Sequence, residues 1–291
     1  MQLAGFQILN GLVYGMLLFL LAAGLSLIFG LMRVLNLAHG SFYMLGAFVG
    51  LALARWAGNY WLALLIAPLL VASLGAVIEV LFLRPLYRRE HGGHLDQMLL
   101  TVGFIFVFAD IVRSIWGGDV LGLAAPETLS GALSLFGIFL PKYRLFIIVV
   151  GLALGLVLWL VIEHSGIGAK LRAGVDDADM AAGIGIDVTR MFTWTFALGC
   201  GLAALAGVIA GPMLGVHAGM DVEILIGTLL VVVIGGMGSL KGALVASVLI
   251  GEADTFGKAY FPEGTMFVIY LVMLAVLLFR PTGLFGLRHD E

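Results

Sequence analysis

Long apolar runs constrain the fold of this 291-residue chain more than any other feature of its sequence. A helix that crosses the hydrocarbon core of a bilayer takes about 20 residues, and most of the runs approach or exceed that length. They lie at residues 5–31, 40–54, 61–83, 97–116, 145–162, 191–211, 224–251 and 264–279. We therefore expect an all-α polytopic membrane protein with about eight to nine membrane segments, built as one membrane domain over residues 1–291.

The composition excludes the soluble classes of protein. The chain is 62% hydrophobic and 11% charged, whereas a soluble domain is about 25% charged. A net charge of −3 offers no basic surface for nucleic acid, and the single cysteine, Cys200, excludes a disulfide framework. Because no basic residue precedes the first apolar run, we expect a retained helix there and not a cleaved signal peptide.

Charged residues are concentrated in three stretches, at 84–96, 163–190 and 280–291, which hold 17 of the 33 charged side chains. Their basic residues are Arg84, Arg88, Arg89, Lys170, Arg172, Arg190, Arg280 and Arg288. Basic residues accumulate on cytoplasmic loops, so we expect all three stretches in the cytoplasm.

The remaining loops, at 117–142 and 212–223, are then expected on the outer side. Counting crossings back from Arg84 places Arg33 inside and the N-terminus on the periplasmic side. The C-terminus is cytoplasmic if residues 224–254 cross twice, as two short segments that meet at GGMGS.

Two apolar segments, 36–50 and 235–251, each begin with a polar, glycine-containing break. Non-helical backbone at membrane depth needs cover from protein or from a water-filled cavity, and paired broken helices mark transport pathways. We predict two broken or re-entrant helices whose polar groups line a translocation path. The residues concerned are Asn36, His39, Gly40, Ser41, Gly235, Gly236, Gly238 and Ser239. Tight turns, a packing role for His39 and a helix cap at Asn36 would explain the same pattern.

Two pairs of ionisable residues stand within or beside the apolar runs. Asp110 and Arg113 share a helix face, and we expect them to pair near the outer end of their span. Glu79 and Arg84 are expected to form a second pair at the membrane interface.

The charged stretch at 163–190 contains a predicted short helix, DDADMAA, at 176–182. Asp176 or Asp177 would be its N-cap, and Gly183 and Gly185 would end it. A short helix held between two spans has the form of a docking element, although a solvated connector would have the same composition.

Motifs for nucleotide hydrolysis and for catalysis are missing from the sequence. GGMGSLKG lacks the glycine before Lys and the Ser or Thr after it that a phosphate-binding loop needs. The sequence has no HExxH, no GxSxG and no Cys/His cluster. We expect no catalytic residue, metal or cofactor in this chain, so a partner or an ion gradient would supply energy for any pumping.

Five separated segments together resemble one family, in consistent order and spacing. They are GLSLIFGLMRVLNLAHGSFYMLGAF (24–48), IEVLFLRPLYRR (78–89), AKLRAGVDDADMAAGIGIDVTRM (169–191), VVVIGGMGSLKGALV (231–245) and RPTGLFG (280–286). The chain resembles the Liv-type permeases of bacterial branched-chain amino acid ABC importers. It is similar to the shorter of the two permease subunits, which has no added N-terminal extension.

The resemblance implies a bacterial inner-membrane protein with a set of partners. These are a second permease that completes a heterodimer, two cytoplasmic ATPases that bind ATP and Mg, and a periplasmic substrate-binding protein. It also implies that the 163–190 loop carries a coupling helix that docks in a groove on the ATPase. The coupling residues would be Asp177, Asp179, Ala181, Ala182, Gly183, Gly185 and Ile186.

The match to the family's motifs is close, with two departures. Asn36, His39 and Gly40 match its N-x-A-H-G motif, and residues 235–239 match GGxGS. The chain departs at Lys241, where proline is frequent in the family, and at Cys200, which we expect to pack. Lys241 is expected at a helix terminus, where its stem can snorkel to the interface.

The expected function is import of branched-chain or other apolar amino acids, since no side-chain cluster suits a strongly charged solute. Urea, short amides or aromatic acids fit the same architecture. A stand-alone ion-coupled secondary transporter, with Asp110 or Glu252 as its ion site, is an alternative of a different class. It would not need a docking helix in the 163–190 loop. Glu252 and Asp254 would line the outer path or lie at the membrane interface.

Overall fold

The computed structural model describes residues 2–32, 34–87, 94–135 and 138–286. Arg33, Arg88, Arg89 and Arg288, which entered the orientation argument, lie outside the described residues. Within those ranges the chain is helical apart from loops, turns and one short hairpin.

The first half of the chain forms five α-helices. They are α1 (Gln2–Met32), α2 (His39–Ala57), α3 (Tyr60–Ile78), α4 (Arg84–Tyr87) and α5 (His94–Trp116). A π-helical turn, Glu79–Leu83, joins α3 to α4, so that Tyr60–Tyr87 is one continuous helical span.

The second half begins with a two-stranded antiparallel hairpin, β1 (Ala132–Leu135) and β2 (Ile138–Pro141), in which Leu135 lies opposite Ile138. The helices that follow are α6 (Lys142–His164), α7 (Gly166–Asp176), α8 (Ala178–Gly183), α9 (Val188–Leu214), α10 (Met220–Gly235), α11 (Leu240–Tyr260) and α12 (Thr265–Phe279).

Seven helical segments of the described residues are long and apolar enough to cross a membrane. They are Gly5–Met32, His39–Ala57, Tyr60–Tyr87, Leu95–Trp116, Lys142–His164, Val188–Leu214 and Pro262–Phe279. Helix α10 has 16 residues, and α11 carries four charged side chains, so neither meets the same criteria. The prediction of an all-α polytopic membrane protein is confirmed, and the number of crossings stays a prediction.

Helix α9 is longer than the apolar run predicted, because it continues through Pro212 to Leu214. Proline has no N–H, so the carbonyl of Val208 loses its helical donor. The Tyr60 hydroxyl lies 3.4 Å from that carbonyl oxygen, and the Tyr143 hydroxyl donates to the next carbonyl, that of Ile209, at 2.7 Å. Side chains of two neighbouring helices therefore stabilise the last turn of α9.

Helix α1 is the most buried span and packs antiparallel against α11 through small residues. A Cβ on Gly15 would lie 2.7 Å from the Ser247 carbonyl oxygen, and one on Gly251 would overlap the Gly11 backbone. Helices α2 and α9 pack as closely, since a Cβ on Gly46 would overlap the Ala204 backbone. Small residues permit such close approach in membranes, so α1, α2, α9 and α11 form the core of the bundle.

The charged stretches gather at one end of the bundle. Glu163 at the end of α6 lies 3.8 Å from Lys241 at the start of α11, and Arg84 bonds to Thr193 near the start of α9. At the opposite end the backbones of Leu121 and Val216 pair, which joins the two loops predicted to face outward. The assignment of the charged end to the cytoplasm stays a prediction.

Candidate functional site

The first predicted break lies deep in the bundle. Residues 34–38 are non-helical and α2 begins at His39, whose Nε2 donates to the Leu21 carbonyl oxygen at 3.0 Å. Leu21 precedes the end of α1 by eleven residues, which is roughly 16 Å along a helix. The chain therefore returns into the bundle before α2 starts, as a broken segment at membrane depth requires.

The start of α2 is joined to the start of α10. Ser41 Oγ donates to Asp221 Oδ2 at 2.9 Å, and both side chains are buried. A Cβ on Gly40 would overlap the Asp221 carbonyl oxygen, so glycine is needed for this approach. Asp221 was not predicted as a site residue. Its only signal was an acidic residue just ahead of the 224–251 apolar run.

Asn36, His39, Ser41 and Asp221 form what we call the α2-start cluster. All four are at most 1% exposed. Both amide atoms of Asn36, Nδ1 of His39 and Oδ1 of Asp221 have no hydrogen-bond partner among the described residues. Buried polar groups are usually paired, so this concentration of unpaired atoms marks a place where a polar partner is missing.

Of the alternative roles predicted for these residues, the helix cap at Asn36 is excluded and the packing role of His39 stays open. Asn36 does not cap α2, because the N-cap position is Ala38 and no side chain bonds there. His39 does make a buried hydrogen bond, so its packing role stays open. The assignment of Asn36, His39, Gly40 and Ser41 to a translocation path also stays a prediction.

The second predicted break, at GGMGS, is a turn between α10 and α11 and does not interrupt a single helix. Gly236 and Gly238 have φ of +97° and +84°, which favours glycine. Ser239 is the N-cap of α11 and accepts from the Gly242 N–H at 3.0 Å. A Cβ on Gly238 would lie 2.9 Å from Gly30 Cα, so the turn lies beside the end of α1. It belongs to the charged end of the bundle, and the path role of Gly235, Gly236, Gly238 and Ser239 stays a prediction.

The C-terminal segment 280–286 folds onto this turn. The backbone N–H groups of Leu284 and Phe285 donate to the carbonyls of Ile234 and Gly235, at 2.8 and 3.0 Å. These are carbonyls at the end of α10, which a helix leaves without intrahelical donors. The RPTGLFG segment thus supplies hydrogen-bond donors to the last turn of α10, the helix that ends at the GGMGS turn.

The short helix predicted at 176–182 is present as α8. Asp177 is its N-cap and accepts from the Met180 N–H at 2.9 Å, and Gly185 follows with φ of +89°. Ala181 is buried, whereas most of the other predicted coupling residues are exposed: Asp177, Asp179, Ala182, Gly183 and Gly185. Ile186 is half-buried and donates to the Ala181 carbonyl. Their coupling role stays a prediction.

Two features of this loop were not predicted. Helix α7 precedes α8, so the loop is a pair of short helices. Met180 and Ile184 are 70% and 73% exposed, which places two large apolar side chains on the outer surface of the loop. Their spacing of four residues gave a signal, since i and i+4 share a helix face.

The Glu79–Arg84 pair is present, with Arg84 Nη2 at 2.9 Å from Glu79 Oε2. The Glu79 side chain is fully buried within the protein, and the position of the pair at the membrane interface stays a prediction. Thr193 Oγ1 donates to the same carboxylate at 2.8 Å, and so does the Tyr87 hydroxyl. The extra donors explain the burial, since a buried carboxylate needs several partners.

The Asp110–Arg113 prediction is wrong. Within the described part of the chain these two residues form no ion pair with each other, and both are exposed on α5. An exposed pair gains little from contact.

The remaining singled-out residues lie on α11 or in the core. Lys241 is exposed at the start of α11, 3.8 Å from Glu163, as its predicted terminal position requires. Asp254 pairs with Lys258 at 2.7 Å, and Glu252 packs against Gly11. Cys200 is fully buried, as its packing role requires.

Comparison with known proteins identifies the family. A family model described as "Branched-chain amino acid transport system / permease component" matches residues 7–277. The permease protein BraD of the high-affinity branched-chain amino acid transport system of Pseudomonas aeruginosa is 31% identical, over 98% of this chain and 96% of BraD.

Two further relatives belong to transport systems of the same description. LivH of Salmonella typhimurium is 28% identical, over 98% of this chain and 96% of LivH. LivM of Escherichia coli is 26% identical, and the match covers 95% of this chain but 69% of the longer LivM. The resemblance drawn from the five sequence segments is confirmed. The chain is a multi-pass membrane protein that belongs to the branched-chain amino acid transport permease family.

Proposed function

We propose that this chain is the shorter permease subunit of an ABC importer in the bacterial inner membrane, driven by ATP that partner subunits hydrolyse. The observation that carries the proposal is α8, a capped helix at the charged end of the bundle. It exposes Met180 and Ile184 to the surroundings. Large apolar side chains on the polar end of a membrane protein favour a protein partner. A stand-alone carrier would have no use for such a helix.

The 163–190 loop is well connected to the helices that would move. Helix α8 leads through Asp187, the N-cap of α9, into α9 itself. Thr193 of α9 donates a hydrogen bond to Glu79, which begins the π-helical turn after α3. Helix α9 also packs on α2 beside the α2-start cluster. A shift of α8 on an ATPase would thus reach Asn36 and His39 through packed helices.

The α2-start cluster is the proposed gate on the path. It is closed within this chain, since its side chains are buried. In the proposed mechanism, ATP-driven movement of α9 against α2 opens a gap there. The unpaired atoms of Asn36, His39 and Asp221 would then bond to the passing solute or to water.

We further propose that the solute is a branched-chain or other apolar amino acid. The names of the relatives support this class. The path residues carry little charge, which fits a zwitterion with an apolar side chain. Urea, short amides and aromatic acids remain alternative solutes for the same architecture.

The proposed assembly has partners on both sides of the membrane. A second permease completes the membrane channel, which the match to both LivH and LivM supports. Two cytoplasmic ATPases, which bind ATP and Mg, dock on the 163–190 loop. A periplasmic binding protein delivers the solute to the loops at 117–141 and 215–219, which pair through Leu121 and Val216.

The test is uptake into proteoliposomes that contain this chain together with a candidate partner permease, two ATPases and a binding protein from the same organism. We expect leucine uptake that requires ATP inside the vesicles and the binding protein outside. Uptake by the chain alone, driven by a proton or sodium gradient, would show a secondary transporter instead. Competition by isoleucine, valine, urea and phenylalanine then defines the solute class.

A further inference from the structure

A cavity of about 390 Å³ opens at the charged end of the bundle. The end of α1, the end of α6, helix α7 and the GGMGS turn surround it. The polar part of its wall contains Ser26, Trp159, Glu163, Arg172, Asp176 and Lys241. Residues of α1, of α7 and of the GGMGS turn form most of the rest.

An apolar groove of about 290 Å³ lies next to this cavity on the side of the bundle. Trp159, Leu240 and Lys241 line both spaces, so the two adjoin. On α6 the lining positions run from Leu152 to Glu163 at helical spacing. They therefore form one face about 16 Å long. The groove thus extends from the charged end into the apolar length of α6.

The charged side chains at the polar end of this space sum to zero net charge, with two of each sign. Lys241 and Arg172 bring two cations, and Glu163 and Asp176 bring two carboxylates. The Lys241–Glu163 contact of 3.8 Å is longer than a hydrogen bond, so both groups can take another partner.

Two donors in the same wall have no partner among the described residues. Ser26 is 2% exposed and its hydroxyl is unbonded, and the indole N–H of Trp159 is also unbonded. An indole at the membrane interface usually donates to a polar group there. A cavity with unbonded donors beside cations is suited to an oxyanion such as a phosphate.

We propose that the cavity and the groove together bind one phospholipid with a zwitterionic amine headgroup, such as phosphatidylethanolamine. Its phosphate lies among Lys241, Trp159 Nε1 and Ser26, and its ammonium lies toward Glu163 and Asp176. One acyl chain fills the groove along α6. A free amino acid would match the charges but would leave the groove empty, so the groove favours a lipid.

The site would tie the docking loop to the bundle through lipid. Arg172 and Asp176 belong to α7, which directly precedes α8, whereas Lys241 belongs to α11. A bound headgroup therefore bridges the loop and the core helices. The proposal does not depend on which solute is transported.

The test measures lipid bound to the purified detergent-solubilised protein by native mass spectrometry, with phosphatidylethanolamine titrated in. We expect one tightly held lipid on the wild type. The double variant Trp159→Phe/Lys241→Ala should weaken binding at least tenfold, because it removes an N–H donor and a cation. Lys170→Ala is the matched control, since Lys170 is an exposed cation on α7 outside the cavity, and its binding should equal that of the wild type.

Leu152→Trp separates a lipid from a free zwitterion. Leu152 is half-exposed in the groove, so a larger side chain there fills the acyl site without disturbing the core. We expect lipid binding to fall in this variant, because the new side chain fills the acyl site. A free zwitterion such as leucine, titrated in place of lipid and bound equally by the variant and the wild type, would overturn the assignment to a lipid. Equal lipid binding by wild type, double variant and Leu152→Trp would overturn the proposal. Phosphatidylglycerol bound as tightly as phosphatidylethanolamine would overturn the role of the two carboxylates.

Discussion

Thr193, the sixth residue of α9, donates a 2.8 Å hydrogen bond to the buried carboxylate of Glu79 at the π-helical turn below α3. The two residues are 114 positions apart in sequence, and the bond links α9, which follows the 163–190 loop, to the α3–α4 span. Arg84 and Tyr87 share the same carboxylate. Glu79 is therefore the centre of a buried network at the charged end of the bundle.

Replacing Glu79 with alanine should destabilise the protein strongly. The change removes the acceptor that Thr193, Tyr87 and Arg84 share, and a hydrogen bond to a charged group contributes about 1.5–3 kcal/mol. The Arg84 side chain is 23% exposed, so water compensates part of its loss. Thermal unfolding of the purified protein in detergent measures the effect. Arg190→Ala is the matched control, because it breaks the exposed Arg190–Asp187 pair and should change stability by less than about 0.5 kcal/mol. Equal melting of the two variants would contradict the network's importance.

Gly46→Ala should lower the yield of folded protein sharply. Its new Cβ would overlap the Ala204 backbone, and backbone cannot move aside as a flexible side chain can. Gly103→Ala on α5 is the matched control, since a Cβ there meets nothing within 4 Å. It should be neutral or stabilising, by about 0.5–1 kcal/mol, because alanine is the better helix former. Size-exclusion profiles after solubilisation distinguish the two outcomes.

Ala182→Arg should prevent co-purification of the ATPase subunits and abolish uptake. Ala182 is exposed on α8, so a long cation there adds bulk and charge to the surface that would meet the ATPase without disturbing the fold. Ala169→Arg places the same side chain on exposed α7 and should leave assembly intact. Retention of the ATPases and of uptake by Ala182→Arg would contradict the proposed docking role of α8.

His39→Gln and Asn36→Ala should abolish solute-stimulated ATP hydrolysis while the complex still assembles. Both residues are buried in the α2-start cluster and carry atoms without partners, so their removal alters the proposed gate more than the packing. Hydrolysis is measured with saturating binding protein, with and without leucine. His164→Gln, at an exposed position at the end of α6, should behave as wild type. Unchanged transport in both cluster variants would remove this cluster from the path.

Local rules predicted much of this structure. The N-cap at Asp177 and the glycine at 185 follow from short-range backbone chemistry, so α8 was recognisable within a few residues. Apolar run length predicted most of the spans for the same reason. The Glu79–Arg84 pair also lies within reach along the chain, and it was found.

Features that depend on contacts between residues far apart in the sequence were not predictable from local patterns. The Ser41–Asp221 bond joins residues 180 positions apart, so no local pattern announces it. The burial of Glu79 depends on Thr193, which another helix supplies. GGMGS was predicted both as a break at membrane depth and as the point where two short segments meet. Its position beside Gly30 at the end of α1 depends on another helix, so its own sequence does not show it.

The close pairing of α1 with α11 also has a consequence for biosynthesis. More than 200 residues separate the end of α1 from the start of α11, and a ribosome adds about 5–20 residues per second. For roughly ten to forty seconds the first helix is in the membrane before its glycine-lined partner has been made. A nascent chain that stalls before Leu240 therefore exposes to lipid the small-residue face of α1, with Gly11 and Gly15, that α11 covers in the complete protein.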